Sequence, residues 1–204
     1  MNNTLKSLAF FLGIICLHSD VLSASTPHNF IDARAQEMVA VITNNQELFA
    51  KDPELFKDKI NIIFEPMVDF RRVAASVMGK KYYFAATEDQ RFRFIEIFKK
   101  SLLDNYASTL AQWGDQRIET VFPEIYEYKK KDSVHQFLHT ASNKYPIKYT
   151  VRDNGKGAWL IINISVNGVN LGQNFRNAFQ ASAGNFDGDI EKVIINWSSK
   201  ADIE

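Results

Sequence analysis

The sequence has almost no cysteine, no excess of charge of either sign and no apolar run long enough to cross a bilayer easily. Its single cysteine, Cys16, lies in the apolar stretch of residues 8–17, which has ten residues. The rest of the chain therefore has no thiol for a disulfide, a Cys-based metal site or a Cys nucleophile. Lysine plus arginine and aspartate plus glutamate both number 24. No overall field draws this chain to polyanions, and we expect no nucleic-acid partner.

The beginning of the chain has the pattern of a secretory signal peptide. Lys6 precedes the apolar stretch, and small residues follow it up to a cleavage position near Ala24 or Ser25. A membrane anchor is the alternative interpretation. We predict a signal peptide at residues 1–24 and one folded domain at residues 25–204, whose 46% hydrophobic composition is typical of a globular protein.

The first half of the chain predicts helices. Apolar residues recur at helical spacing over residues 28–50. Asp52 as the cap and Pro53 at the first helical position begin another helix. Thr87 and Gln90 form a capping box for a long helix without internal Gly or Pro. The apolar positions of this long helix exceed one stripe, which predicts that it is covered on more than one side.

The segment of residues 64–90 holds a carboxylate beside two arginines, a pattern compatible with catalysis, anion binding or a helix start. Asp69 is interpreted as the cap of a helix that runs to about Met78 and is stopped by Gly79. Arg71 and Arg72 are then expected in the solvent-facing first turn.

The second half predicts strands and then helices. The candidate strands are 115–123, 133–142, 144–152 and 158–168, with a hairpin turn at 153–157. Alternation places Tyr145, Ile147, Tyr149 and Val151 on one face of their strand, and likewise Leu160, Ile162, Ile164 and Val166. Helices are expected at 170–182 and 188–199. This order predicts a single α+β domain, an antiparallel, meander-like sheet of about four strands covered on one face by helices.

Motifs for chemistry are few. His135 and His139 lie in a candidate strand, where four residues span about 13 Å, too far for one metal ion. The sequence has no GxSxG, phosphate-binding or dinucleotide-binding motif, and residues 184–189 supply only half of a calcium loop. We expect no catalytic residue, no metal and no cofactor.

What remains is an excess of apolar residues on the strands and helices. They could fill an ordinary core, or they could line a cavity for an apolar ligand. Periodicity does not distinguish these two interpretations, because core and cavity walls have the same residue pattern.

Two regions of the sequence are similar to the MlaC-type family of periplasmic phospholipid carriers, also called the toluene-tolerance family. The first runs from FEPMVDF to YASTL, residues 64–110, and the second is around Trp159 and residues 168–179. The residues that match the family pattern are Pro66, Asp69, Phe70, Gly79, Tyr82, Thr87, Gln90, Phe94, Phe98, Leu102, Tyr106, Ala107, Trp159, Gly168, Val169, Leu171, Asn174, Phe175, Arg176 and Phe179. Phe175 and Asn163 stand where the family usually has Tyr and Asp.

The resemblance implies a periplasmic, non-enzymatic carrier that holds a phospholipid by its acyl chains in a hydrophobic cavity. Its expected partners are an outer-membrane lipoprotein–porin complex and an inner-membrane ABC transporter, between which it would shuttle lipid and so maintain outer-membrane lipid asymmetry. The alternatives are a non-catalytic adaptor and a small-substrate hydrolase or isomerase with a cone-like α+β fold. The expected lipid-binding residues are Phe70, Val73, Val77, Met78, Tyr82, Phe94, Phe98, Leu102, Tyr106, Tyr149, Val151, Ile162, Ile164, Val166, Leu171 and Phe175.

Overall fold

A computed structural model describes residues 26–198 of the chain. The predicted signal peptide lies outside these residues. The helices are α1 (Pro27–Asn44), α2 (Gln46–Lys51), α3 (Pro53–Met67), α4 (Phe70–Ala85), α5 (Glu88–Ala111), α6 (Leu171–Asn185) and α7 (Ile190–Ile195). The strands are β1 (Arg117–Thr120), β2 (Lys131–His139), β3 (Lys144–Asp153), β4 (Trp159–Val166) and β5 (Val169–Asn170). Within the described residues, no helix is long and apolar enough to cross a membrane.

The sheet is an antiparallel meander in the order β1-β2-β3-β4-β5. Each strand pairs with the next one along the chain, as short connections favour. The predicted α+β class and helix-covered sheet are confirmed. The difference from the expected four strands is β5, two residues that turn back onto the end of β4.

The polar caps predicted from the sequence set the helix starts. The Asp52 carboxylate accepts a hydrogen bond from the Leu55 amide at 3.0 Å, with Pro53 at the first position of α3. At α5, Thr87 Oγ1 accepts from the Gln90 amide at 3.1 Å, and Gln90 Oε1 accepts from the Thr87 amide at 3.0 Å. Each cap satisfies backbone N–H groups that have no partner within the helix.

Two helix boundaries differ from the sequence-based expectation. The helix predicted over 28–50 is two helices, because Asn45 leaves helical geometry with φ −129° and donates its side-chain amide to the Val41 carbonyl at 2.7 Å. Asparagine competes in this way with the helical hydrogen bonds. The final helix begins at Ile190 and ends at Ile195, not at 188 and 199, since Asp189 caps it from outside.

The sequence predicts that Gly79 ends α4. In the structure, Gly79 instead interrupts the helix. Its φ of 71° and ψ of 163° are non-helical, and helical turns resume up to Ala85. Only glycine adopts such a conformation at low cost, because it has no Cβ. The two halves of α4 therefore meet at a kink.

The expected alternation along β4 is wrong at its first half. Val151 pairs with Ile161 and Thr150 pairs with Asn163, so Ile162 is an extra residue in a β-bulge. A bulge shifts the strand by one residue and exchanges its faces. Ile161 consequently shares the helix-covered face with Ile164, while Leu160 lies on the opposite face. On β3, Ile147, Tyr149 and Val151 share one face of the strand, as predicted.

Helix α5 is covered on two sides, as predicted. Phe94 and Phe98 pack into a cluster formed by α4, α6 and α7, in which Phe94 lies 5.1 Å from Phe179 and 5.2 Å from Trp197 between ring centroids. Ala107 packs in a second cluster with α1, α2 and α3. A third cluster joins α1 and α3 to the covered face of the sheet. The space where these three clusters meet is the cavity described next.

Candidate functional site

A cavity of about 350 Å³ lies between the helices and strand β4. Its volume is within the range of small-molecule pockets. The wall consists of Met38, Ile60, Phe64, Val68, Phe70, Val73, Phe98, Leu102, Leu103, Tyr106, Leu110, Ile161, Asn163, Ile164, Leu171, Gly172 and Phe175. Asn163 and the Tyr106 hydroxyl supply the only polar side-chain groups of this wall. The cavity is therefore suited to hydrocarbon.

Half of the sequence-predicted ligand residues lie together in this wall. They are Phe70, Val73, Phe98, Leu102, Tyr106, Ile164, Leu171 and Phe175, from α4, α5, β4 and α6. All of these residues except Ile164 lie in segments 64–110 and 168–179 of the family resemblance, and Ile164 precedes the second segment. Their contact with a ligand stays a prediction.

The structure places the other eight predicted residues elsewhere. Val77, Met78, Tyr82 and Phe94 are buried in the helical cluster around Phe179. Tyr149 and Val151 pack under α1 and α3, where burial raises the pKa of Tyr149 to about 12. Val166 lies opposite Ile147 and outside the wall. Ile162, displaced by the bulge, lines a separate groove.

The sequence analysis missed the part of the wall that α1 and α3 supply. Ile60 and Phe64 are four residues apart on α3 and project from one face, a spacing that was visible in the sequence. Ile161 was missed because strict alternation assigned its neighbour to the covered face. Asn163 was visible in the sequence in another way, because it is an amide in the middle of a mostly apolar strand.

The side-chain amide of Asn163 connects the sheet to the start of α6. Its Oδ1 accepts a hydrogen bond from the Gly172 backbone amide at 3.1 Å. A Cβ at Gly172 would overlap this amide oxygen, so the close approach requires glycine. The one side-chain amide of the cavity wall is thus engaged by the protein itself.

Asp69 has the structural role that the sequence favoured. Its carboxylate accepts from the Arg72 amide at 3.0 Å, which caps α4, and it lies 3.2 Å from Nη1 of Arg152 on β3. The Asp69 amide donates to the Ile161 carbonyl at 3.0 Å. Arg71 and Arg72 are exposed, as expected. The carboxylate is therefore committed to joining α4 to the sheet.

Ion pairs fix the two long helices of the wall to each other. Lys99 on α5 lies 2.8 Å from Glu65 on α3, and Lys57 on α3 lies 2.5 Å from Asp104 on α5. The hydrogen bond from Lys99 lowers the pKa of Glu65. Both lysines are mostly buried, so their ammonium groups are partly shielded from water.

Metal-ligating side chains do not cluster in the part of the chain that the structure describes. No group of three or more His, Cys, Asp or Glu residues between 26 and 198 could hold a metal ion. His139 instead lies 2.5 Å from Glu119 on the neighbouring strand.

The fold and the cavity define a class of single-domain α+β proteins in which helices cover an open antiparallel sheet and enclose an apolar chamber. The chain belongs to the MlaC protein family, whose model matches residues 32–199. The family predicted from the sequence is thereby confirmed.

Two curated proteins are similar in sequence. The chain is 34% identical to the toluene tolerance protein ttg2D of Pseudomonas putida over 181 residues, which is 88% of this chain and 83% of that protein. It is 22% identical over 112 residues to the intermembrane phospholipid transport system binding protein MlaC of Haemophilus influenzae, covering 55% of this chain and 52% of that protein.

A solved structure has the same fold. The phospholipid-binding protein from Ralstonia solanacearum, determined in complex with a phospholipid, matches with a TM-score of 0.76. The match covers 84% of this chain and 94% of that chain at 18% sequence identity. The helix-covered sheet is thus an architecture that persists at low sequence identity.

Proposed function

We propose that this protein is a phospholipid carrier that holds the acyl chains of its cargo in the cavity. The observation that supports this proposal is the composition of the wall, which presents hydrocarbon from five helices and β4. Burying acyl chain is worth about 0.8 kcal/mol per CH₂ group. A dry cavity removes most of the cost of moving such a lipid through water, without any chemical step.

The similar proteins support this proposal. The Haemophilus relative is named as the binding protein of an intermembrane phospholipid transport system, and the Ralstonia structure contains a phospholipid. Membership in the MlaC family joins this chain to the Haemophilus protein, and the shared fold relates it to the Ralstonia protein. We propose the eight wall residues predicted from the sequence, together with Ile60 and Phe64, as the surface that contacts acyl chains.

The wider role follows from the same assignment. The predicted signal peptide at residues 1–24 would direct the domain at 25–204 to the periplasm. There we propose that the protein exchanges lipid with an outer-membrane lipoprotein–porin complex and an inner-membrane ABC transporter, and so contributes to the lipid asymmetry of the outer membrane.

The proposed role is binding and not catalysis. General acid–base chemistry needs a titratable group positioned at the substrate. The cavity wall has no carboxylate, imidazole, thiol or amine, and Asp69 is engaged as a cap and ion-pair partner. The wall therefore favours a carrier over the hydrolase or isomerase considered from the sequence.

Lipid content of the purified protein tests the proposal. An organic extract analysed by mass spectrometry should contain phospholipid in a fixed molar ratio to protein. Delipidated protein should take up phospholipid again from vesicles, and a variant with a filled cavity should not. Protein that neither copurifies with phospholipid nor takes it up would overturn the assignment.

A further inference from the structure

A second depression, which we call the basic groove, lies beside the cavity and is lined by α4, the start of α6 and residues of β2 to β5. It has a volume of about 590 Å³ and shares Val73, Asn163 and Gly172 with the cavity wall. The two spaces therefore adjoin along one boundary. An amphiphilic molecule could occupy both, with its apolar part in the cavity and its polar part in the groove.

The charge of the basic groove differs from that of the chain as a whole. The full sequence has equal numbers of acidic and basic residues. The residues that line the groove include no carboxylate and four cations, which are Arg72, Lys80, Lys131 and Arg176. Arg72 is close to Asp69 outside the groove, and the other three positive charges create a local positive potential that attracts an anion.

Three of these cations have no carboxylate partner within residues 26–198. Lys80, Lys131 and Arg176 form no ion pair there, whereas Arg72 lies 3.5 Å from Asp69. Ion pairs are common elsewhere on this surface, for example Lys99 with Glu65 and Arg93 with Glu191. The three cations of the groove are thus available to a ligand.

The rest of the groove suits an oxygen-rich anion. Ser76 and Thr150 contribute hydroxyl groups and Asn170 contributes a side-chain amide, while the Gln173 side-chain amide donates to Asn177. The groove also lies at the N-terminal end of α6, where the helix dipole adds partial positive charge. Arginine and lysine side chains together with such donors are the usual phosphate ligands in proteins.

Two of the cations of the groove lie next to the kink at Gly79. Lys80 follows the non-helical residue directly. Arg176 is oriented by a hydrogen bond from its Nη1 to the Ser76 carbonyl at 3.2 Å. The basic side of the groove therefore lies at the interruption of α4, where Arg176 is held by a backbone carbonyl.

We propose that the basic groove binds the phosphate of the lipid headgroup while the acyl chains occupy the cavity. This inference rests on the proposed carrier function and adds a headgroup site to it. The group that the groove recognises is a phosphate monoanion, which lysine and arginine side chains contact.

The test compares two short-chain lipids that differ by one phosphate-containing headgroup. Delipidated protein is titrated with dioctanoyl phosphatidylglycerol and with dioctanoyl glycerol, at low and at high salt. The test variant is Lys80→Gln with Lys131→Gln. Both side chains are exposed and form no ion pair or side-chain hydrogen bond within residues 26–198. The matched control is Lys59→Gln with Lys156→Gln, which removes the same charge outside the groove.

The test variant should bind the phosphatidylglycerol about three- to tenfold more weakly than the wild type, because two exposed ionic contacts are lost. Its affinity for the diacylglycerol should be unchanged, and the control should match the wild type for both lipids. Added salt should weaken phosphatidylglycerol binding to the wild type more than to the variant.

Other outcomes overturn the inference in separable ways. Unchanged phosphatidylglycerol affinity in the test variant removes the headgroup site but leaves the carrier function intact. An equal loss for both lipids means that the substitutions disturb the cavity and not headgroup binding. Wild-type protein that binds neither lipid refutes the carrier function itself. Inorganic phosphate that binds as tightly as the lipid in an NMR titration would make the groove a site for free phosphate.

Discussion

The guanidinium group of Arg176 occupies the space into which a side chain at Gly79 would project. A Cβ built at Gly79 would lie 2.9 Å from Nη2 of Arg176, closer than real Cβ contacts allow. One turn further along α6, Gln180 donates to the Met78 carbonyl at 3.0 Å. The kink of α4 is thus matched by side chains of α6 that satisfy the carbonyls left free by the interruption.

Replacing Gly79 by alanine should destabilise the protein. A non-glycine residue in this backbone region costs about 1–3 kcal/mol, and the clash with Arg176 adds to it. Urea unfolding of Gly79→Ala measures the loss. Gly155→Ala is the matched control, since Gly155 has a similar φ of 78° with no atom near its Cβ position. Equal losses at the two positions would show that the contact with Arg176 contributes nothing.

Replacing Asn163 by leucine should also destabilise the fold, despite the apolar surroundings. The substitution removes the acceptor of the partly buried Gly172 amide, and leaving a buried donor unsatisfied costs at most about 1–3 kcal/mol. Asn163→Asp keeps an acceptor at the start of α6 and should retain more stability. Thermal unfolding of both variants gives the comparison. A leucine variant as stable as the wild type would mean that water replaces the lost acceptor.

Filling the cavity should reduce lipid occupancy and leave the fold intact. Leu102→Trp places a larger ring in the wall formed by α5, and overpacking costs about 1–3 kcal/mol of stability. Ile62→Trp on α3 is the control, because Ile62 is 74% exposed. Phospholipid per protein, measured after identical purification, should fall only in the first variant. A full complement of lipid in Leu102→Trp would remove this part of the wall from the proposed acyl site.

The contact between α5 and α7 should weaken in acid. Hydrogen bonds from Arg93 lower the pKa of Glu191 to about 2, from its ordinary value of 4.5. A carboxylate with a lowered folded-state pKa contributes stability above its unfolded pKa, and this contribution is lost as the pH falls towards 2.

The stability difference between the wild type and Glu191→Gln checks this expectation. It should be constant near pH 6 and shrink progressively between pH 4.5 and pH 2. Chemical denaturation at several pH values measures it. Glu88→Gln serves as the control, because Glu88 is exposed near the same end of α5. A difference that stays constant down to pH 2 would contradict the assignment of the titration to Glu191.

Local signals in the sequence were sufficient for the starts of α3, α4 and α5 and for the fold class. The caps at Asp52, Asp69 and Thr87 depend on neighbours three residues away, and therefore they are visible in the sequence. The strand order followed from short connections. The bulge at Ile162 was not predictable in this way, because it depends on pairing with a residue of another strand.

The cavity was only half predictable for a similar reason. Phe98, Leu102 and Tyr106 recur along one face of α5, and this face reaches the cavity. Val77 and Phe94 have the same apolar character, yet they pack against α6 and α7. Which apolar face borders a space and which borders another helix is decided by tertiary packing. A family sequence pattern contains the residues of both kinds of face and does not distinguish them.

The bond between Asn163 and Gly172 has a consequence for cargo selectivity. Because the Asn163 side-chain oxygen already accepts from Gly172 and the rest of the wall is almost entirely hydrocarbon, the chamber has few directional groups to distinguish a double bond, a branch or a ring from a plain chain. Discrimination inside it would mainly follow buried length, at about fourfold in affinity per methylene. Such a chamber would accept the mixture of acyl chains that the membrane contains. Any stronger selectivity would then come from recognition of the lipid headgroup.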